Sequence, residues 1–341
     1  MPKRALSILS AVMAVMAPAV AQAAPEKEAW TATETALRVD AAGISLPQTV
    51  ARLSLSKSGE VSNGGKGIDN YAQYLSGDGA IQATLYVYLP SYADASLAAH
   101  MTDRAIMDRF GSRTRRTAYA AVPVAGEASG AIRAVYDDAA EGALTTAAAF
   151  VHAGRWLVKL RVTGPSERRK EVLAGLDGML NGLQFDRVAD IHRTAPATFA
   201  PCPIKDAAEA RLTTQSAATL SDIALPRDGR EPLCVRGQVQ TANGEYDMLQ
   251  RPGAPDGAVI VPVDDSGTVL AFDPAATPQG YQLSIHSVGQ TDIYGVYDKV
   301  PSPRQIAEIL DGKDPQTAQA RTTADYAASG EVTMRGDLHG R

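Results

Sequence analysis

The sequence lacks the short motifs that mark common catalytic sites. It contains no G-x-S-x-G elbow, no H-E-x-x-H, no C-x-x-C and no complete phosphate-binding loop. Its five histidines are scattered, and no two stand at a spacing typical of metal ligands. We therefore expect no metal and no cofactor. A catalytic site, if present, would have to be assembled from residues that are distant in the chain.

The sequence also lacks an excess of positive charge. Its 33 Lys and Arg residues are outnumbered by 38 Asp and Glu residues, which gives a formal net charge of −5. Neutralising nucleic acid phosphates requires a basic surface, so nucleic acid is excluded as an expected partner. The length of 341 residues favours two domains.

Long apolar runs are absent after the first 23 residues, which have the three parts of a secretory signal peptide. These parts are the basic pair Lys3 and Arg4, an apolar stretch over 5–17, and the small-x-small pattern of 21–23. The apolar stretch is shorter than the roughly 20 residues that span a bilayer. We expect cleavage before Ala24, no transmembrane anchor after processing, and a periplasmic or secreted location. An uncleaved anchor helix is the alternative.

Cysteine is scarce, with only Cys202 and Cys234 present. In an oxidising compartment two cysteines favour a disulfide bond. Closing the loop between Cys202 and Cys234 with a disulfide would stabilise the fold by about 3 to 4 kcal/mol. Two free, buried thiols are the alternative.

The first half of the chain has the pattern of an α+β domain. Residues 24–40 are polar, and we interpret them as a flexible lead-in to a domain over 41–186. Strands alternate apolar and polar residues, and both helices carry an apolar stripe at helical spacing. The predicted elements are a strand over 80–89, a helix over 94–110, strands over 117–124, 130–136, 144–152 and 155–162, and a helix over 165–183. Asp94 or Ser96 is predicted to cap the first helix, and Ala153-Gly154 predicts a tight hairpin.

The order of elements from Ile44 to Phe185, including the strand "GRWLVKLRV" that precedes the second helix, resembles the Mog1/PsbP/DcrB-like superfamily. The resemblance implies a sheet of hairpins with packed helices. It also implies a non-enzymatic accessory or binding protein of the envelope or lumen. It carries no catalytic motif, and a fold alone does not define a function.

The second half of the chain predicts another α+β domain. A polar linker with three prolines covers 187–203, the domain covers 204–312, and a disordered tail covers 313–341. We expect a short Ala-rich helix over 204–213 at the start of the domain. Asn243-Gly244 predicts a hairpin, and Ser302-Pro303 with Gln305 predicts a capped helix.

Two groups of residues are candidates for binding. Seven of the twelve tyrosines lie between positions 71 and 136, and we predict a ligand or partner face formed by Tyr71, Tyr74, Tyr86 and Tyr88. The alternative for this face is a second core surface covered by a helix. A basic cluster is predicted to contact anionic lipid or polymer, with a solvated loop as the alternative. This cluster consists of Arg109, Arg113, Arg115 and Arg116.

The function predicted from these features is that of a non-catalytic secreted or periplasmic protein that binds a partner or small ligand in the cell envelope. One alternative is a periplasmic hydrolase in which His152 or His286 acts with a distant Ser or Asp. An imidazole found in a cleft beside a carboxylate and a hydroxyl would favour the hydrolase. The other alternative is a structural scaffold.

Overall fold

A computed structural model describes most of the chain. The described ranges are 29–62, 66–203, 209–213, 227–228, 232–275 and 279–336. The predicted signal peptide, 1–23, lies outside them. The fold is α+β as predicted, with two large, mainly antiparallel sheets and packed helices. In the described ranges, the helices are all too short or too polar to cross a membrane.

The elements are numbered in chain order. The strands of the first half are β1 (Thr31–Ala32), β2 (Ala36–Val39), β3 (Ile44–Pro47), β4 (Thr49–Val50), β5 (Leu53–Glu60), β6 (Asp69–Ser76), β7 (Gln82–Tyr88), β8 (Tyr92–Ala93), β9 (Arg115–Val124), β10 (Glu127–Ala139), β11 (Leu144–Ala153), β12 (Trp156–Pro165) and β13 (Gln184–Phe185). The strands of the second half are β14 (Ala200–Pro201), β15 (Arg227–Asp228), β16 (Cys234–Thr241), β17 (Gly244–Gln250), β18 (Val259–Pro262), β19 (Val269–Ala275), β20 (Gly280–Ser287), β21 (Gln290–Tyr297), β22 (Thr322–Tyr326) and β23 (Val332–Gly336). The helices are α1 (Ala95–Phe110), α2 (Arg169–Gly182) and α3 (Pro303–Leu310).

The first large sheet has eight strands in the order β4-β5-β6-β7-β12-β11-β10-β9. Its neighbouring strands are antiparallel, and β11 and β12 form the predicted tight hairpin, in which Ala153 faces Trp156. Gly154 adopts a φ of +62° in this turn, a conformation that glycine tolerates without strain. A smaller sheet contains four strands in the order β1-β2-β3-β13.

Helix α2 covers one face of the eight-stranded sheet. The apolar stripe that predicted this helix is the part that is buried, with Val172, Leu176, Met179 and Leu180 in the same core as the apolar positions of β7 and β12. Burial of this stripe, and not helix propensity, accounts for most of the stability of such a helix.

Helix α1 lies on the opposite face of the eight-stranded sheet and also contacts the second sheet. Toward the first sheet, the small side chains of Ala95, Ala98 and Ala99 pack with Phe150 and Leu157. These alanines allow the helix backbone to approach the sheet closely.

Toward the second sheet, Leu97 of α1 packs with Leu249 and Ile260. Helix α3 covers the other face of that sheet through Ile306 and Ile309. The layers are therefore α2, the eight-stranded sheet, α1, the second sheet and α3.

The second large sheet has nine strands in the order β14-β16-β17-β18-β19-β20-β21-β22-β23. The predicted hairpin at Asn243-Gly244 joins β16 to β17. The predicted cap of α3 is confirmed. The Ser302 side chain accepts from the Gln305 backbone N–H, and the Gln305 side chain accepts from the Ser302 backbone N–H. The predicted disulfide between Cys202 and Cys234 is present.

A polar contact between the two sheets supplements the apolar packing of α1. The buried Lys159 of β12 donates to Asp265, which follows β18 in the second sheet. Thr102 of α1 donates to the same carboxylate at 3.1 Å, and the Tyr88 hydroxyl donates to the Asp265 backbone carbonyl at 3.2 Å. Burial lowers the pKa of the Lys159 ammonium, and the Asp265 carboxylate opposes this effect. Removing the Asp265 carboxylate would leave the buried Lys159 ammonium without its charge partner.

The prediction of a flexible lead-in over 24–40 is wrong for the described residues 29–40. Strands β1 and β2 lie there, and Leu37 and Val39 are buried. The Trp30 indole N–H donates to the Gly59 carbonyl at 2.9 Å and so fixes the start of the segment. Two apolar positions in a polar stretch are too few to show periodicity, although they are enough to pair one short strand.

The prediction of a disordered tail over 313–341 is also wrong for the described residues 313–336. Strands β22 and β23 belong to the nine-stranded sheet. Ala324 and Tyr326 are buried in the hydrophobic core that also contains the apolar stripe of α2. Each strand has only five residues, so the alternation was too brief to be recognised from sequence.

The predicted helix over 204–213 is not found in its described part. Residues 209–213 run beside β21, where Leu212 forms a bridge with Tyr297 and the Thr213 N–H donates to the Val296 carbonyl. Residues 204–208 lie outside the described ranges.

We predict that Tyr326→Ala lowers the free energy of unfolding by about 3 kcal/mol or more, because a large aromatic side chain leaves a packed core. The control is Thr333→Ala, an exposed position of β23, which should cost less than about 1 kcal/mol. Urea unfolding followed by circular dichroism measures both. Equal, small effects would show that the tail does not belong to the folded core.

Candidate functional site

A cavity of about 620 Å³ lies where α1 begins, next to the tip of the β11–β12 hairpin. Its volume falls in the range of about 300 to 1,000 Å³ that small-molecule sites occupy. The polar residues that line it are Asp94, Ser96, Ser129, His152, His192, Arg193, Thr194 and Thr198. The apolar part of the wall includes Ala95, Leu97, Pro196, Phe199, Pro232 and Leu233.

Two imidazoles lie side by side in this wall. The centroids of the His152 and His192 rings are 4.2 Å apart. The Nε2 atoms of His152 and His192 lie 3.0 Å and 3.2 Å from the carbonyl oxygen of Gly154. The backbone explains the pairing, because Ala153 and Ile191 form an antiparallel bridge and the His192 N–H donates to the His152 carbonyl.

Asp94 forms the polar floor of the cavity at the N-terminus of α1. Its carboxylate accepts from the backbone N–H groups of Ser96 at 2.8 Å and Leu97 at 3.1 Å, as predicted for the helix cap. Burial raises the pKa of the Asp94 carboxyl to about 7, and the two backbone donors oppose this effect only in part. The carboxyl therefore changes protonation near neutral pH.

The predicted linker closes the cavity. Within it, the Thr194 N–H donates to the Ser129 carbonyl at 2.8 Å, and the Ser96 hydroxyl donates to the Ala195 carbonyl at 2.7 Å. Further along, the Cys202 N–H donates to the Val235 carbonyl at 2.7 Å beside the disulfide. The disulfide thus anchors one end of the segment that forms the wall.

The four predicted tyrosines do not form one face. Tyr74 is fully buried toward α2, whereas Tyr71 faces the other side of the sheet with Tyr86. Tyr88 is only 3% exposed and packs under α1. The alternative of a core surface covered by a helix therefore describes Tyr88, and a Tyr88→Ala change would test packing and not binding.

Tyr86 agrees in part with the predicted ligand or partner face. It is half-buried, and the Lys159 ammonium lies 5.7 Å from its ring centroid. Tyr71 is half-buried on the neighbouring strand, with its ring against Gly59. Tyr71 and Tyr86 therefore place two aromatic rings on this face of the sheet. Lys159, which lies between this face and the second sheet, is paired with Asp265.

The four predicted arginines are placed near one another, but three of them have carboxylate neighbours. Arg115 donates to Asp138 at 2.8 Å and Arg116 to Asp103 at 2.9 Å. Arg113 lies 3.9 Å from Glu141, and Arg109 lies over the ring of Phe110. These ion pairs reduce the positive electrostatic potential that would attract an anionic lipid or polymer.

His286, the second imidazole considered for hydrolysis, is buried in a network of hydroxyl groups. Its Nδ1 lies 3.2 Å from the Ser91 hydroxyl, and its Nε2 lies 3.0 Å from the Ser284 hydroxyl. Its ring is 4% exposed and meets Tyr92 edge-on. The arrangement joins the first sheet region to the second sheet and satisfies buried polar atoms.

Sequence reasoning missed the pairing of His152 with His192. The two residues are 40 positions apart, and only the bridge between the hairpin tip and the linker brings them together. Asp94 was one of two candidate caps, with Ser96, but its burial depends on the linker and could not be deduced from the local sequence. Among the described residues, no cluster of three or more His, Cys, Asp or Glu side chains has the geometry to hold a metal ion.

Comparison with protein-family models and with curated proteins returns no match for this chain. The geometry of the cavity and of the described residues is therefore the basis for the functional argument.

We predict that Asp94 makes stability fall as pH rises. Its pKa increases from 3.8 to about 7 on folding, so the folded state binds the proton more tightly. The stabilisation is complete below the unfolded pKa and is lost as pH approaches the folded pKa. Asp94→Asn keeps a good helix cap without titrating. Its stability relative to wild type should rise by about 2 to 4 kcal/mol between pH 4 and pH 8.

The measurement is urea unfolding of both proteins across this pH range. Asp108→Asn is the control, because Asp108 is an exposed carboxylate of the same helix. The pH dependence measured for Asp94→Asn should exceed that measured for Asp108→Asn. Parallel curves for wild type and Asp94→Asn would contradict a raised pKa.

Proposed function

We propose that the protein is a non-catalytic binding protein of the cell envelope that holds a small amphipathic ligand in the cavity at the start of α1. The observation that carries the proposal is the composition of this cavity, whose lining combines hydroxyl, imidazole and carboxyl groups with apolar side chains. Such walls orient a ligand through a few polar groups and bury the remainder of its surface.

The nature of the polar groups favours a ligand with hydrogen-bonding groups at one end. Imidazole, hydroxyl and a carboxyl with a pKa near 7 can each donate or accept. Phe199 and Leu233 belong to an apolar cluster shared with the second sheet, so the other end of the ligand would meet a firm apolar surface.

A periplasmic or secreted location is part of the proposal. The predicted signal peptide and the disulfide between Cys202 and Cys234 both support it. The resemblance of residues 44–185 to the Mog1/PsbP/DcrB-like superfamily remains a prediction. That relationship would agree with a binding or accessory role.

A hydrolase is the second candidate, because His152 lies in a cavity that also contains the Asp94 carboxylate and the Ser96 and Ser129 hydroxyls. A nucleophile needs a hydrogen bond to its base. Here the His152 Nε2 faces the Gly154 carbonyl, the Ser96 hydroxyl donates to the Ala195 carbonyl, and Asp94 caps α1. These engagements favour binding over hydrolysis.

We predict that the neutral amphipathic dye N-phenyl-1-naphthylamine binds the protein saturably, with one dye per chain. Ser129→Trp places a large side chain in the cavity wall and should weaken this binding by at least about tenfold. Dye fluorescence measures the affinity, and circular dichroism checks the fold.

The matched control is Ala128→Trp, an exposed position next to Ser129 on β10 and outside the cavity wall. It should bind the dye as wild type does. Equal affinities of the two tryptophan variants would place the dye elsewhere and contradict the proposal. Turnover of a chromogenic ester by wild type, lost in His152→Ala, would favour the hydrolase instead.

A further inference from the structure

A second cavity, of about 430 Å³, is lined in part by residues 153–156 of the β11–β12 hairpin, which directly follow His152. Three turns border it, namely the turn between β2 and β3, the tip of the β11–β12 hairpin and the turn that precedes β23. The hairpin tip contributes Arg155, and the turn before β23 contributes Gly330.

Within the described ranges, the Arg155 guanidinium has no hydrogen-bonding or carboxylate partner in this cavity. Neither a hydrogen bond nor an ion pair joins its guanidinium to another residue of the described ranges, and its Nη2 atom is buried. A guanidinium has five N–H donors, and buried donors in native structures are normally satisfied. Burial also lowers the pKa of Arg155, as expected for a cation without a nearby carboxylate.

The position of the guanidinium is fixed by its surroundings. It lies over the ring of Tyr326, with its Cζ 5.9 Å from the ring centroid. On another side the backbone of Gly330 approaches so closely that a Cβ there would lie 3.3 Å from Arg155 Nη1. Tyr326 is itself held in the core, so the group is presented in one place and not on a mobile surface side chain.

Each carboxylate of the same cavity contacts an arginine other than Arg155. Asp40 lies 2.7 Å from the Arg38 guanidinium, and Asp186 accepts from the same guanidinium at 2.9 Å. Asp190 lies 2.7 Å from Arg187. Of the arginines on the described wall, Arg155 is the one whose guanidinium has no carboxylate contact.

We propose that this cavity binds the carboxylate or phosphate group of a small molecule, and that Arg155 holds the group through paired N–H donors. A planar guanidinium matches the two oxygens of such a group, and the partial burial of Arg155 strengthens the contact. The adjoining Trp156 and Phe185 supply apolar surface for the remainder of the molecule. This site is separate from the cavity at the start of α1 and does not depend on the function proposed for it.

The test is isothermal titration calorimetry with benzoate and with inorganic phosphate at constant ionic strength. We expect one equivalent of at least one probe to bind wild type, and the probe that binds distinguishes a carboxylate from a phosphate ligand. Arg155→Gln should lose at least about tenfold in affinity. Arg155→Lys should bind less tightly than wild type, because an ammonium keeps the charge but lacks the fork.

Arg52→Gln is the matched control, because Arg52 is an exposed arginine outside this cavity. It should bind as wild type does. Circular dichroism should show an unchanged fold for each variant, and binding of the naphthylamine dye should also be unchanged in Arg155→Gln. The proposal is overturned if neither probe binds wild type, or if Arg155→Gln or Arg155→Lys binds as tightly as wild type.

Discussion

Helix α1 is packed between two sheets, and both of its long sides must therefore be apolar or hydrogen-bonded to a partner. The side toward the eight-stranded sheet is made of alanines, and the side toward the nine-stranded sheet carries Leu97. Thr102, on the same helix, donates to the Asp265 carboxylate that also pairs with Lys159. A larger side chain at the alanines or an unpaired charge at Lys159 would separate the layers.

The position of α1 also explains where the cavity lies. Helix α1 lies between the two sheets, and the cavity lies at its N-terminus. The predicted linker runs over this end and is held there by hydrogen bonds from Ser96 and Thr194 and by the disulfide at Cys202. Asp94 is therefore both the helix cap and a buried wall of the cavity, which is why its pKa is raised to about 7. Asp94 therefore contributes both to the stability of α1 and to the candidate binding site.

Local patterns were enough to predict several elements. The cap at Asp94, the hairpin at Gly154 and the capping box at Ser302 depend on residues within a few positions of one another, and each is found. Strands β2 and β22 were missed because four or five residues give too little periodicity, and their burial depends on distant partners. The neighbourhood of His152 and His192 arises from a bridge across 40 positions and has no local signal.

The grouping of four tyrosines could have been corrected from the sequence itself. Tyr71 and Tyr74 are three positions apart on one strand, and a period of two places them on opposite faces. Which face α1 would cover could not be deduced, because that depends on the second sheet. The pairing of Arg113, Arg115 and Arg116 with carboxylates from other elements was likewise invisible locally.

Sharing of α1 by two sheets is the central claim, and cooperative unfolding tests it most directly. Differential scanning calorimetry of the oxidised protein compares the calorimetric enthalpy with the van't Hoff enthalpy of the transition. The account predicts one transition with a ratio near one, since neither sheet can lose α1 without exposing its own apolar face. Two separate transitions, each belonging to one sheet, would contradict it.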